Sequence, residues 1–262
     1  MPFLYASEGT IHWQQTGPID SPVLVLAHAL GLDLSLWDRV IPLLPASLRI
    51  VRYDLCGHGA SACPPPPYRM GALVSDAERL LDALNIRDCV FVGLSVGGLI
   101  AQGLAVKRLD QVRAIVLSNT AAKIGTASTW DSRIRTVRQG GIDSIADATM
   151  ERWFSRTTRT SPEARSTREL LLQTREEGYI GVCAAIAGTD FYETTATLTL
   201  PTLAIAGSED GSTPPDLVRE TADLVKGSRF ALIRGAGHLP PIDKPEEFAA
   251  VLAEFLRDIG HV

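Results

Sequence analysis

In the stretch Gly93-Leu94-Ser95-Val96-Gly97 a serine stands between small residues, after an apolar run and before a helical pattern. This is the setting in which a hydroxyl can be pushed out of a tight strand-to-helix turn and used as a nucleophile. The glycines let strand and helix approach each other closely, and Gly98 extends the clearance. Serine is also a preferred helix N-cap, so Ser95 alone reads equally well as a capping residue. A nucleophilic serine needs a base to take its proton and a third group to orient the base. The rest of the chain must supply both.

Two histidines follow Ser95 in the chain, His238 and His261. His261 is next to last and is expected to fray with the terminus. His238 lies in Gly235-Ala236-Gly237-His238-Leu239-Pro240-Pro241, directly after the apolar run ending at Ile233, where a base should stand. For the acid, Gly207-Ser208-Glu209-Asp210 offers two carboxylates at the end of another apolar run. The G-x-x-D spacing selects Asp210, which gives the chain order serine, acid, histidine. Acyl transfer also needs donors for the developing oxyanion. The backbone N–H of Val96 is one, and that of Leu30, in His28-Ala29-Leu30-Gly31-Leu32-Asp33, is taken as the other. His28, and Asp54 and His58 in the glycine-containing turn from Arg52 to Ser61, are read as structural groups hydrogen-bonded within their loops.

The elements that must position these residues follow from hydrophobic periodicity. Val23 to Ala27, Val90 to Gly93, Ala114 to Leu117, Leu203 to Gly207 and Phe230 to Ile233 read as buried strands. Met70 to Leu84, Ser95 to Val106 and Pro245 to Leu256 read as helices, the last opened by its proline. Strand alternating with helix means an α/β fold with a mostly parallel sheet flanked by helices. Between Thr120 and Leu200 the strand signal gives way to helical patterns at Trp130 to Arg138, Ile142 to Phe154, Pro162 to Thr174 and Tyr179 to Ala187. Residues 121–194 are therefore expected to form an all-helical insertion over the carboxyl ends of the strands, with 1–120 and 195–262 as the core. The run Pro64 to Pro67 is expected to be a stiff surface loop.

Composition narrows the function classes. A net charge of -5 argues against a nucleic-acid surface. The apolar runs are too short to span a bilayer, so no membrane partner is expected. The stretch MPFLYASEGTIHW has neither a basic segment nor a continuous apolar one, which points to a cytoplasmic protein. Cys56, Cys63, Cys89 and Cys183 show no C-x-x-C spacing and are expected to be reduced thiols, mostly buried. No cofactor or metal is implied, since the glycines have the wrong spacing for G-x-G-x-x-G and no ligand cluster occurs. Charge is unevenly spread: residues 121–190 carry 10 basic and 9 acidic residues, or +1, and the remainder 15 and 21, or -6. The helical insertion is thus the relatively cationic part.

Over its whole length the chain resembles an α/β-hydrolase with a helical cap. Asn119-Thr120-Ala121-Ala122-Lys123-Ile124-Gly125-Thr126, then Trp130 and Arg133, Glu151-Arg152-Trp153-Phe154, Glu177-Gly178-Tyr179 and Cys183-Ala184-Ala185 are similar to the cap entry and cap of 3-oxoadipate enol-lactonases. The resemblance implies hydrolysis of the ring ester of 3-oxoadipate enol-lactone, a small anionic lactone, in the β-ketoadipate route of aromatic catabolism. Arg133, Arg135, Arg138 and Arg152 are then the candidates to pair with its carboxylate. Trp130 and Arg133, three residues apart on one helix, would share a face. Trp153 would either wall the pocket or pack the cap. The chain departs from that family at His28-Ala29-Leu30, at Cys56 in place of an arginine, and at Leu239-Pro240-Pro241-Ile242-Asp243. These departures bear on the substrate rather than the chemistry. A carboxylesterase, another lactonase, a carbon-carbon bond hydrolase of small carboxylated ring-cleavage products, a cofactor-free haloperoxidase-like enzyme and a ligand receptor on a hydrolase scaffold are the alternatives.

Overall fold

Runs that are apolar along their whole length become strands covered on both faces. In the computed structural model, which describes residues 3–6 and 9–262, eight strands form one sheet. Met1, Pro2, Ser7 and Glu8 of the N-terminal stretch lie outside the described residues. The strands are β1 (Phe3–Ala6), β2 (Gly9–Thr16), β3 (Val23–Ala27), β4 (Arg49–Tyr53), β5 (Cys89–Leu94), β6 (Val112–Ser118), β7 (Thr202–Gly207) and β8 (Arg229–Ile233). Their order across the sheet is β1-β2-β4-β3-β5-β6-β7-β8. The pairs β1/β2 and β2/β4 are antiparallel and the remaining five are parallel. Every residue of β3, β5 and β7 is buried, as strands sandwiched between helices must be.

Between the strands run α1 (Met70–Ala83), α2 (Val96–Lys107), α3 (Ala127–Gly140), α4 (Asp143–Trp153), α5 (Pro162–Gln173), α6 (Glu176–Ala187), α7 (Tyr192–Ala196), α8 (Pro215–Asp223), α9 (Pro240–Asp243) and α10 (Pro245–Asp258). The helix α1 buries Leu73, Ala77, Leu80 and Leu81, a stripe at helical spacing, and packs on α2, which in turn packs on β5 and β6. Helices α3 to α7 fill the whole interval between β6 and β7, and among the described residues no strand interrupts them. Their starts are written locally: Thr126 Oγ1 accepts the Thr129 N–H ahead of α3, and Ser161, followed by Pro162, caps α5.

Three expectations need correction. His261 does not fray: it is buried, its Nε2 contacts the Val23 carbonyl at 3.1 Å and its Nδ1 contacts Arg113, so the chain end is tied to the start of β3. Of the cysteines, Cys89 and Cys183 are buried but Cys56 and Cys63 are half-buried. The helix after the serine turn starts at Val96, one residue later than read, because Ser95 itself is bent out of the helix. Among the described residues no helix is long and apolar enough to cross a membrane.

Candidate active site

The turn between β5 and α2 holds Ser95 at φ 57° and ψ -117°, a conformation rarely adopted by a residue with a side chain. Such strain costs on the order of 1–3 kcal/mol and persists only where the surroundings enforce it. They do so here through hydrogen bonds to both sides of the Ser95 backbone. The Ser95 N–H donates to the Ser118 carbonyl at 3.0 Å, and the Ser95 carbonyl accepts from the Gly98 N–H at 2.9 Å and from Thr120 Oγ1 at 2.6 Å. Closeness explains the glycines: a Cβ on Gly93 would stand 2.0 Å from the Gly97 carbonyl oxygen, and one on Gly97 would stand 2.3 Å from that of Ala27. The Ser95 side chain makes no capping hydrogen bond to α2, so its hydroxyl is not used as a helix cap.

The loop after β7 carries Asp210 and the loop after β8 carries His238, and the two meet. His238 Nδ1 lies 2.8 Å from Asp210 Oδ2, with both side chains buried. Asp210 is held from several sides: Oδ1 accepts the N–H groups of Ser212 and Thr213, and Oδ2 accepts Thr213 Oγ1 at 2.7 Å and Asn119 Nδ2 at 2.9 Å. Burial pushes this carboxyl up, but the His238 ring and these donors outweigh it and leave Asp210 below its ordinary value. The carboxylate therefore stays ionised and takes the Nδ1 proton as a hydrogen bond, which leaves the lone pair of His238 on Nε2. Glu209, the competing carboxylate, accepts the Arg156 N–H instead and does not reach the imidazole. His238 and Ser95 line the same cavity, though no direct hydrogen bond joins them.

Leu30 sits in the loop after β3. Neither its N–H nor that of Val96 donates to an acceptor among the described residues, although Gly31 next to Leu30 is engaged. Val96 is the first residue of α2, where a helix leaves its N–H groups unsatisfied. Two histidines hold the Leu30 loop. His58 Nε2 accepts the Gly31 N–H at 2.9 Å; His28 Nε2 accepts the Leu55 N–H at 2.9 Å, and His28 Nδ1 donates to the Ala29 carbonyl. Asp54 adds a third tie by accepting the N–H groups of Leu34 and Ala60. Burial lowers both histidines, His58 to about 3, so each stays neutral and keeps its acceptor nitrogen.

The cavity measures about 150 Å³ and is lined by Leu30, Ser95 and His238 from the sheet side and by Trp130, Arg133 and Trp153 from the helices. Trp130 is pinned by its Nε1–H to the Ile124 carbonyl at 2.6 Å. Trp153 does two things: its indole stacks near the His238 ring at 6.4 Å, and its carbonyl accepts the His238 N–H at 2.7 Å. Arg133 donates through Nε to Tyr179 Oη at 2.7 Å and through a terminal nitrogen to Thr149 Oγ1 at 2.6 Å. Arg152 also lines the cavity, its pKa lowered by partial desolvation and by the charge of Arg133. Neither guanidinium has a carboxylate partner among the described residues. Arg135 and Arg138 are exposed on the outer side of α3 and do not line the cavity, which removes them as candidates. Asn119, Thr213 and Tyr179 were not anticipated at the site; the structure shows Asn119 in left-handed backbone at the end of a strand, a conformation asparagine adopts more readily than most residues.

Known proteins place the chain. Residues 24–251 match the alpha/beta hydrolase family. A 3-oxoadipate enol-lactonase of Acinetobacter baylyi is 33% identical over 247 residues, covering 94% of this chain and 92% of that protein. The crystal structure of the enol-lactonase from Burkholderia xenovorans superposes with a TM-score of 0.94 at 32% identity, covering 98% of this chain and 100% of that one. A thermophilic esterase from Thermogutta terrifontis, solved with malate bound, gives a TM-score of 0.92 at 28% identity over 100% of this chain and 99% of that one. Matched over most of its length, the chain belongs to the alpha/beta hydrolase family and is a hydrolase.

Proposed function

We propose that the protein is a serine hydrolase that opens the ring ester of a small carboxylated lactone, with 3-oxoadipate enol-lactone as the substrate. The observation that carries this reading is the pair Arg133 and Arg152, two guanidiniums without a carboxylate partner in the cavity that holds Ser95 and His238. A charge-assisted pairing with a substrate carboxylate would relieve their mutual repulsion and orient the ring. The enol-lactonase relatives support the same substrate class.

In this mechanism His238 Nε2 takes the Ser95 proton while Asp210 stabilises the imidazolium, and Ser95 Oγ attacks the lactone carbonyl. The N–H groups of Leu30 and Val96 receive the oxyanion. Collapse of the tetrahedral intermediate breaks the ring C–O bond, and the enolate oxygen leaves with the proton held by His238. The acyl-enzyme keeps the whole substrate tethered until water, activated by His238, releases the product; the enol then tautomerises to the ketone. Residues 121–194 act as a cap over the core formed by 1–120 and 195–262. A cytoplasmic setting fits four cysteines that form no disulfide.

The test is steady-state hydrolysis of 3-oxoadipate enol-lactone, followed by loss of its ultraviolet absorbance, beside the Ser95→Ala protein. Saturable turnover that disappears in the variant is expected. A wild type that is silent on the lactone but labels at Ser95 with a fluorophosphonate would keep the serine hydrolase and discard the substrate.

A further inference from the structure

We propose that Asn119 is a positioning residue for this reaction, fixing Asp210 and, through it, the orientation and basicity of His238. The inference rests on the serine-hydrolase reading above. Asn119 directly follows β6, the strand next in the sheet to both β5, which delivers Ser95, and β7, which delivers Asp210. Its side chain is fully buried and every polar atom of it is used. Nδ2 donates to Asp210 Oδ2 at 2.9 Å and to the Gly237 carbonyl at 3.2 Å, and Oδ1 accepts the Ser118 hydroxyl at 3.0 Å. One amide nitrogen thus joins the acid to the peptide immediately before His238. The next residue, Thr120, holds the Ser95 carbonyl at 2.6 Å. Two consecutive residues therefore touch all three loops that carry the proposed nucleophile, acid and base.

The chemistry of the contact assigns it a direction. Asp210 Oδ2 is the oxygen that faces His238 Nδ1, and Asn119 shares it. A neutral donor on that oxygen spreads its charge and makes it a weaker acceptor for the imidazolium. Without the donor the carboxylate would hold the imidazolium more tightly, which raises the pKa of the base and misaligns it. The backbone at Asn119, φ 46°, is tolerated by Asp and Gly, so both replacements can be made without forcing the chain.

The experiment compares wild type, Asn119→Asp and Asn119→Gly by pH profiles of kcat and kcat/KM on a 4-nitrophenyl ester, with fluorophosphonate labelling of Ser95 and thermal unfolding measured in parallel. Asn119→Asp puts a second carboxylate against Asp210 and should lower kcat about tenfold or more, leave KM nearly unchanged and move the acid limb of kcat/KM upward by about one pH unit. Asn119→Gly should move the limb in the same direction by less. Folded variants whose acid limb stays in place, whether or not rate is lost, would overturn the inference and leave Asn119 as packing. A wild type that neither labels at Ser95 nor hydrolyses any ester would remove the serine-hydrolase reading, and this inference with it. A labelled, active wild type beside unmoved variants removes this inference alone.

Discussion

The backbone N–H of His238 donates to the carbonyl of Trp153 at 2.7 Å, so the loop that carries the imidazole hangs on the last turn of α4. The loop of the acid is fastened to the same place. The Gly211 N–H donates to the Arg152 carbonyl at 3.0 Å, and Glu209 Oε2 accepts the Arg156 N–H. Two of these three fastenings, at His238 and Gly211, run from backbone to backbone, where geometry does not depend on rotamers. The wall of the cavity and the imidazole are thus fastened to each other through the end of α4.

Gly237 should tolerate no side chain. A Cβ there would stand 2.2 Å from the Trp153 carbonyl oxygen, a backbone atom that cannot rotate away. Overpacking of this kind costs about 1–3 kcal/mol, and here it would be relieved by pushing the His238 loop off α4. The Gly237→Ala protein should melt several degrees lower and lose activity on lactone and simple esters alike. Unaltered melting and turnover would show that the fastening has slack.

If the two guanidiniums hold a substrate carboxylate, removing one should discriminate between charged and neutral substrates. Arg152 is the cleaner choice, because no protein hydrogen bond is lost with it, whereas removing Arg133 strands the buried Tyr179 hydroxyl. Hydrogen bonds to charged groups contribute about 1.5–3 kcal/mol, so Arg152→Met should raise KM for a carboxylated lactone about tenfold or more. Hydrolysis of 4-nitrophenyl acetate should stay within about twofold, since that ester offers the guanidinium no charge to pair with. Equal losses on both substrates would mean that Arg152 supports the cavity rather than reads the charge.

What could be read from the chain follows the range of the interactions involved. The turn at Ser95 was legible because its glycines act on immediate neighbours, and Asp210 and His238 because each stands in the loop that follows an apolar run. Strands β1 and β2 were not: they lie at the antiparallel side of the sheet, and β2 is mostly half-buried, so no continuous apolar run marks it. Asn119 escaped because its partners are 91 and 118 residues away and meet it only through the order of β6 and β7. Composition left Arg133, Arg135, Arg138 and Arg152 level, and the three-residue spacing from Trp130 pointed to Arg133. The pitch of α3 turns Trp130 and Arg133 toward the cavity and Arg135 and Arg138 outward. His261 was misjudged for the same reason: position in the chain says nothing of the Val23 carbonyl that holds it.

Acid should lower the stability of the fold before it protonates the carboxylates, because of the histidines that hold the Leu30 loop. His28 and His58 each accept a backbone N–H at Nε2, and protonating either would set two donors against each other. Burial holds His58 at about 3, and His28 is also lowered, against 6.5 for an exposed histidine. Below about pH 6.5 the unfolded chain takes up protons that the folded chain refuses, so stability present at neutral pH is lost as pH falls toward 3. By linkage His58 alone accounts for about 2–3 kcal/mol between pH 7.5 and 4.5, and His28 and the lowered His261 act in the same sense. Asp210 contributes only below its ordinary value of 3.8, and Asp243, whose carboxyl burial raises, works in the opposite direction. Urea unfolding at the two pH values should show the loss in the wild type and a smaller one in His58→Gln, whose amide oxygen can still accept from Gly31. Equal pH dependence in both proteins would mean that His58 already carries its proton in the folded state.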